Sequence, residues 1–155
     1  IGDWEPDLGT ARAELSRLRE WDRRLTPGST AAAVFEAYLL RLTRNVLELV
    51  VGAQTRHFLD RPGRGIGNAP PLLLGNVSLA CRLLAAGSPW LIEGESRSLL
   101  LERSLAEALD DLARRMGLDR SRWQWGRVHR THWRHPMARG PLRRLLNRGR
   151  YPRRW

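Results

Sequence analysis

Apolar residues recur every three or four positions over most of the first 117 residues, and breaks in the pattern divide that stretch into four helices. Asp7 to Arg24 carries Leu8, Ala11, Leu15, Leu18 and Trp21 on one face and Arg12, Arg17, Arg19 and Arg23 on the other, with Pro27-Gly28 beyond its end. Ser29 is placed to cap the next helix, because its hydroxyl accepts one of the backbone N–H groups that a helix start leaves unpaired. That helix runs from Thr30 to about Leu59. Val34, Phe35, Tyr38, Leu39, Leu42, Val46, Leu49 and Val50 cover more than one stripe of it, which predicts burial on a wide face. Residues 61–71, rich in Gly and Pro, form the clearest loop. Leu72 to Ala86 is a short apolar helix closed by Gly87. Glu95 to Met116 is a longer one, with Leu99, Leu100, Leu105, Ala106, Leu109 and Leu112 inward and Gly117 as its C-terminal stop.

After Asp119 the period changes from helical to alternating. Trp123, Trp125, Arg127, His129, Thr131 and Trp133 fall on one side of a strand, with Gln124, Gly126, Val128, Arg130 and His132 on the other. Gly126 between large neighbours predicts close approach by another backbone or ring. A strand this aromatic needs a sheet, and no partner strand is legible elsewhere in the chain. The fold class expected is therefore α+β, a mostly helical region (7–117) followed by an aromatic strand and turn (120–147) whose sheet partners lie in further sequence.

Composition narrows the classes. A hydrophobic fraction of 42% over 155 residues suits a globular chain rather than a disordered one. No apolar run reaches the roughly 20 residues that span a bilayer, and the start at Ile1-Gly2-Asp3 shows no signal-peptide pattern. That start reads as the interior of a longer protein. The net charge of +11 is uneven: residues 1–119 hold 15 arginines against 16 acids, and residues 120–155 hold 12 arginines and no acid. Lysine is absent throughout, the usual mark of GC-rich coding, whereas phosphate-binding surfaces ordinarily use both cations.

Candidate chemistry is sparse. Cys81, the single cysteine, sits in an apolar helix and reads as a small buried thiol. His129, His132 and His135 have suggestive spacing for a metal, but in a strand His129 and His135 stand roughly 20 Å apart and His132 faces the other way. His57 reads as a helix-boundary residue. Gly63, Gly65 and Gly67 do not have the spacing of a nucleotide-binding loop. Glu93 with Glu95 is one acidic pair; Asp110 and Asp111, neighbours on a helix, diverge and read as solvated outer-face residues. No residue of the chain is assigned a catalytic, cofactor-binding or metal-ligating role.

Three segments resemble the penicillin acylase (penicillin amidase) family. Trp123-Gln124-Trp125-Gly126-Arg127-Val128-His129, followed by His135-Pro136 and Gly140-Pro141-Leu142, is similar to that family's tryptophan-glycine strand, histidine and histidine-proline pair. Residues 18–35, from the Trp21-Asp22 helix end through Ser29 into an alanine-rich helix start, and the helix Leu99 to Gly117 match in the same order. The resemblance implies a four-layer αββα fold and hydrolysis of linear amides. It also implies a serine at the start of a processed chain, acting as nucleophile through its own α-amine and forming an acyl-enzyme. Ile1 has no such hydroxyl, so the nucleophile, the oxyanion asparagine and the calcium ligands of some members are expected upstream. The resemblance therefore implies no cofactor in this chain and allows calcium in the full-length parent.

Implied partners are the remainder of the catalytic chain, the smaller alpha chain of the processed precursor and an amide substrate such as a β-lactam or an acyl-homoserine lactone, with no nucleic acid. The implied compartment is periplasmic or secreted. Relatives usually continue past Asn147-Arg148-Gly149 into a glycine-glycine-aspartate turn; residues 148–155 do not, and a frameshift or gene-boundary error there is the expectation. The reading is an inactive scaffold fragment of an amidase. Its alternative is an Arg/Trp-rich module binding nucleic acid or a membrane surface, in which arginines neutralise phosphates and tryptophans stack.

Overall fold

The computed structural model describes residues 7–52, 75–86 and 96–129. Four helices of ten residues or more form its frame: α1 (Leu8–Glu20), α2 (Thr30–Val51), α3 (Val77–Ala86) and α4 (Arg97–Met116). A 3-10 turn (Arg120–Arg122) and a single helical turn, α5 (Trp125–Val128), come after them.

Local chemistry sets most of the ends. The Ser29 hydroxyl accepts from Ala32 N–H at 3.1 Å, as the sequence predicts, and Asp7 and Ser96 cap α1 and α4 in the same manner, from Thr10 and Leu99. Gly117 (φ +86°) stops α4 and Gly52 (φ +87°) stops α2; each donates its N–H to a carbonyl of the last helical turn, with a backbone conformation that side-chain-bearing residues rarely adopt. Gly52 ends α2 well before Leu59, a correction to the longer helix; residues 53–59 lie outside the described residues. Helix α1 likewise ends at Glu20 and not Arg24. Trp21 turns to extended backbone, Asp22 draws the Arg24 N–H onto its carboxylate at 3.0 Å, and Arg23 takes φ +60°. Leaving the helix lets the Trp21 ring meet that of Phe35, 5.5 Å between centroids.

Helices α2 and α4 are the central pair. They run antiparallel, since Arg41 meets Asp111 while Asn45, one turn on, meets Ser104. Helix α1 packs on α4 and α3 on α2. Two larger apolar clusters result among the described residues, beside a small one in which Leu40 packs on Leu47. The first joins Ala11, Val34, Leu105, Ala106, Leu109, Leu112 and Trp123, with Leu15, Leu18 and Tyr38 against it. The second joins Leu42, Val46, Ala80, Leu84 and Leu100. Each fully buried aliphatic side chain contributes about 1.5–3 kcal/mol relative to exposure, so these clusters dominate the stability of the frame. The wide buried face of α2 is present, though Phe35 and Leu49 are each 37% exposed; on α4 Leu99 points outward at 41%, against expectation.

The predicted strand is absent among the described residues. From Trp125 the chain makes a helical turn, and residues 130–155, the rest of that strand and its turn, lie outside the description. The physical reason is pairing: an extended segment leaves its N–H and C=O groups unmatched without a neighbour strand, whereas one helical turn matches several locally. Here His129 N–H donates to Trp125 O at 2.8 Å and Arg127 N–H to Gln124 O at 2.9 Å.

Candidate functional site

Two polar constructions stand out against the apolar frame. The first is a belt between α2 and α4. Asn45, almost fully buried, donates through Nδ2 to Ser104 Oγ and to Glu107 Oε2, both at 2.9 Å. Arg41 pairs with Asp111 and lies 3.9 Å from Glu107, and Arg44 pairs with Glu48 at 3.0 Å. Burial pulls the Arg41 guanidinium below its ordinary pKa, while the Glu107 carboxylate opposes that fall. Arg41, Arg44, Asn45, Glu48, Leu49, Arg103 and Glu107 line an open cleft of about 440 Å³. Ser104 carries a hydroxyl but is fully buried, and its contact is an amide with no basicity. It therefore serves packing and has neither the access nor the base that a nucleophile needs.

The second construction seats the tryptophan segment. Trp123 is 3% exposed inside the first cluster, and its indole N–H donates to Gly117 O at 2.8 Å. The Arg120 guanidinium lies 5.3 Å from the centre of the Trp123 ring and donates to Glu14 Oε2 at 2.7 Å; Arg17 reaches the same oxygen. Glu14, a buried carboxylate on α1, is thereby paired on both sides, as burial of a charge requires. Next in the chain, Trp125 N–H donates to Ser29 O at 3.0 Å and Gly126 N–H to Pro27 O at 2.8 Å. These are two of the orphan donors of a helix start, satisfied by the turn that precedes α2. The close approach predicted for Gly126 is present, against Pro27, though in a helical turn and not a strand.

The remaining predicted residues are placed differently from one another. Cys81 is exposed, a correction: α3 buries Ala80 and Leu84, and Cys81 lies off that stripe. Asp111 is not a solvated outer-face residue: it faces α2 through Arg41, whereas Asp110 contacts only the exposed Arg114 of its own helix, in keeping with an outer-face place. His129 stacks on Trp125, 4.7 Å between centroids with planes 12° apart. His57, His132, His135, Glu93, Glu95, Gly63, Gly65 and Gly67 lie outside the described residues. Among the described residues no group of three or more His, Cys, Asp or Glu side chains converges to hold a metal. No helix among them is long and apolar enough to cross a membrane.

The two segments singled out at Trp21–Ser29 and Trp123–His129 thus meet through backbone hydrogen bonds, although about a hundred residues separate them. The family model of penicillin amidase matches residues 3–154. The chain belongs to the penicillin amidase family. It is 33% identical to the acyl-homoserine lactone acylase QuiP of Pseudomonas putida over 84% of its own length and 16% of that protein's. With the protein of the same name from Pseudomonas syringae pv. tomato it shares 30% identity over 96% of this chain and 18% of the relative. With that of Pseudomonas aeruginosa it shares 28%, over 96% and 19%. The chain therefore spans less than a fifth of the length of these curated relatives. They are acylases, hydrolases by class. No solved structure matches the chain.

Proposed function

We propose that this chain is a scaffold segment of a linear-amide hydrolase, one that cleaves the amide of an N-acyl-homoserine lactone or the acyl side chain of a β-lactam. The observation that carries the reading is the penicillin amidase match across residues 3–154, joined to relatives whose names are those of acyl-homoserine lactone acylases. In this reading a serine elsewhere in the enzyme attacks the amide carbonyl with its own α-amine as base. The amine leaves with a proton, and water releases the acid from the acyl-enzyme. Helices α1, α2 and α4 belong to a helical layer of a four-layer αββα enzyme. The reading places the enzyme in the periplasm or outside the cell, with the rest of the catalytic chain and a smaller alpha chain as partners.

Both constructions favour a scaffold role: the belt carboxylates face arginines, and the tryptophan turn is engaged internally. The test uses two proteins, the 155-residue chain alone and the P. putida relative with its matching segment replaced by this chain. Release of homoserine lactone from an N-acyl-homoserine lactone is monitored by chromatography. The chimera is expected to hydrolyse it and the chain alone to leave it intact. Turnover by the chain alone, abolished by changing one of its own residues, overturns the scaffold role. A folded chimera inert toward acyl-homoserine lactones and acylated β-lactams alike overturns the amidase reading.

A further inference from the structure

Residues 117–129 are fastened to the helices by contacts unlike those that fasten the helices to one another. Between α2 and α4 the contacts are side-chain packing and the polar belt. Between the tryptophan segment and the Pro27–Ser29 turn they run backbone to backbone, through the amides of Trp125 and Gly126. A Cβ added at Gly126 would stand 3.1 Å from Pro27 Cβ, 3.2 Å from Pro27 O and 3.3 Å from Pro27 Cα. Two of those atoms are backbone and the third belongs to a rigid ring, so no rotamer change makes room. The other end of the segment has a second fastening, Arg120 between Glu14 and the Trp123 ring.

We propose that residues 117–129 act as a strap that shuts on the Pro27–Ser29 turn as one unit, with the Gly126–Pro27 contact deciding whether it is shut. When the strap is shut, Val128 packs on the first apolar cluster, Trp125 stacks on His129, and His129 is held at a fixed place beside the bundle. When it opens, those contacts go together, while α2 and α4 keep their own belt and the second cluster. The proposal goes beyond the amidase reading and stands or falls separately from it.

Amide hydrogen exchange on the labelled 155-residue chain tests it, with Gly126→Ala, Pro27→Gly and the double variant, and with Gly28→Ala as control because nothing lies within 4 Å of a Cβ there. Gly126→Ala is expected to speed exchange together at the Trp123, Trp125, Gly126 and His129 amides by on the order of tenfold or more, leaving the slow amides that α2 and α4 bury in the second cluster unchanged; acceleration confined to 125 and 126 overturns the single unit. Pro27→Gly, which removes the nearest atom, should lessen the effect of Gly126→Ala, and Gly28→Ala should leave those amides as they are. Unchanged exchange at positions 125 and 126 overturns the proposal. So does equal acceleration throughout α2 and α4, or an effect of Gly126→Ala that Pro27→Gly does not lessen. If Gly126→Ala does not fold, Arg120→Gln decides, since it loosens the other fastening without crowding Pro27. Joint acceleration at 123, 125, 126 and 129 upholds the strap, and acceleration at 125 and 126 alone, uniform acceleration or none rejects it.

Discussion

The two larger apolar clusters are built on the same helix pair by different means. The second, around Leu100, Val46 and Leu84, is aliphatic and made wholly of helix faces. The first, around Leu105 and Val34, is closed by Trp123, a residue outside any α-helix whose indole must find an acceptor at Gly117. Helix-on-helix packing arises from periodicity alone, whereas a cluster capped by an irregular segment depends on a chain of specific partners: Gly117, Arg120, Glu14, Pro27 and Ser29.

The sharpest way to break that contrast is to remove Trp123. Trp123→Ala is expected to cost about 3–5 kcal/mol in urea unfolding and to loosen Arg120 from Glu14. Leu100→Ala in the other cluster should cost about 2–5 kcal/mol while leaving the exchange of the Trp125 and Gly126 amides unchanged. A Trp123→Ala loss below about 1 kcal/mol would show that the indole covers the cluster without holding it.

Asn45→Ala comes next, at about 1–3 kcal/mol, because it strips a donor from buried Ser104 and from Glu107. Chemical denaturation measures it, and a stabilised Asn45→Ala would mean that the amide hinders packing. Ser29→Ala removes the cap of α2 and should cost about 0.5–2 kcal/mol. It should also lower the helical circular dichroism signal; a neutral result would assign the α2 start to the strap rather than to the cap.

The smallest effects come from pH. Asp7 and Asp119 have carboxyl pKa values held below the ordinary range, by the Thr10 and Ser121 hydroxyls first and then by the backbone N–H groups of the same residues. The fold lowers these pKa values, so the stability they add is fully present above the unfolded carboxylate range and is lost as pH falls through the lower folded values. Tyr38 acts at the other end of the scale: burial pushes its pKa up to about 12. Its contribution is complete below the unfolded value of about 10 and disappears as pH rises through the folded one. Thr10 and Ser121 amide shifts tracked in acid, and Tyr38 absorbance in base, check both signs; an Asp119 midpoint at or above the ordinary aspartate range would refute the cap.

Helices are legible wherever a 3.6-residue period meets a capping side chain or a glycine. Ser29, Gly117 and the inward set Leu100, Leu105, Leu109 and Leu112 need no tertiary knowledge. Trp21 and Trp123–His129 do. Positions four apart share a face both in a strand and in a helix, so Trp125 and His129 satisfy either period, and only the Pro27 and Ser29 carbonyls decide between them. Periodicity misplaces Cys81 because a short apolar helix carries apolar residues nearly all round, and Leu99 because three consecutive leucines, Leu99 to Leu101, cannot all face one side of a helix. The belt has a signal of its own in the sequence, Asn45 inside the apolar run Leu42–Val46–Leu49. A polar residue there requires a partner on the facing helix.

That requirement fixes how far α2 and α4 slide along each other. A slip of one helical turn, about 5.4 Å, would exchange Ser104 opposite Asn45 for Leu100 or Ala108, and neither side chain can accept from the amide. Apolar faces alone tolerate such a shift, because leucine packs nearly as well against the next leucine. The Asn45–Ser104 and Asn45–Glu107 bonds are made together in one alignment only, so two modest local bonds favour a single longitudinal register for the two longest helices among the described residues.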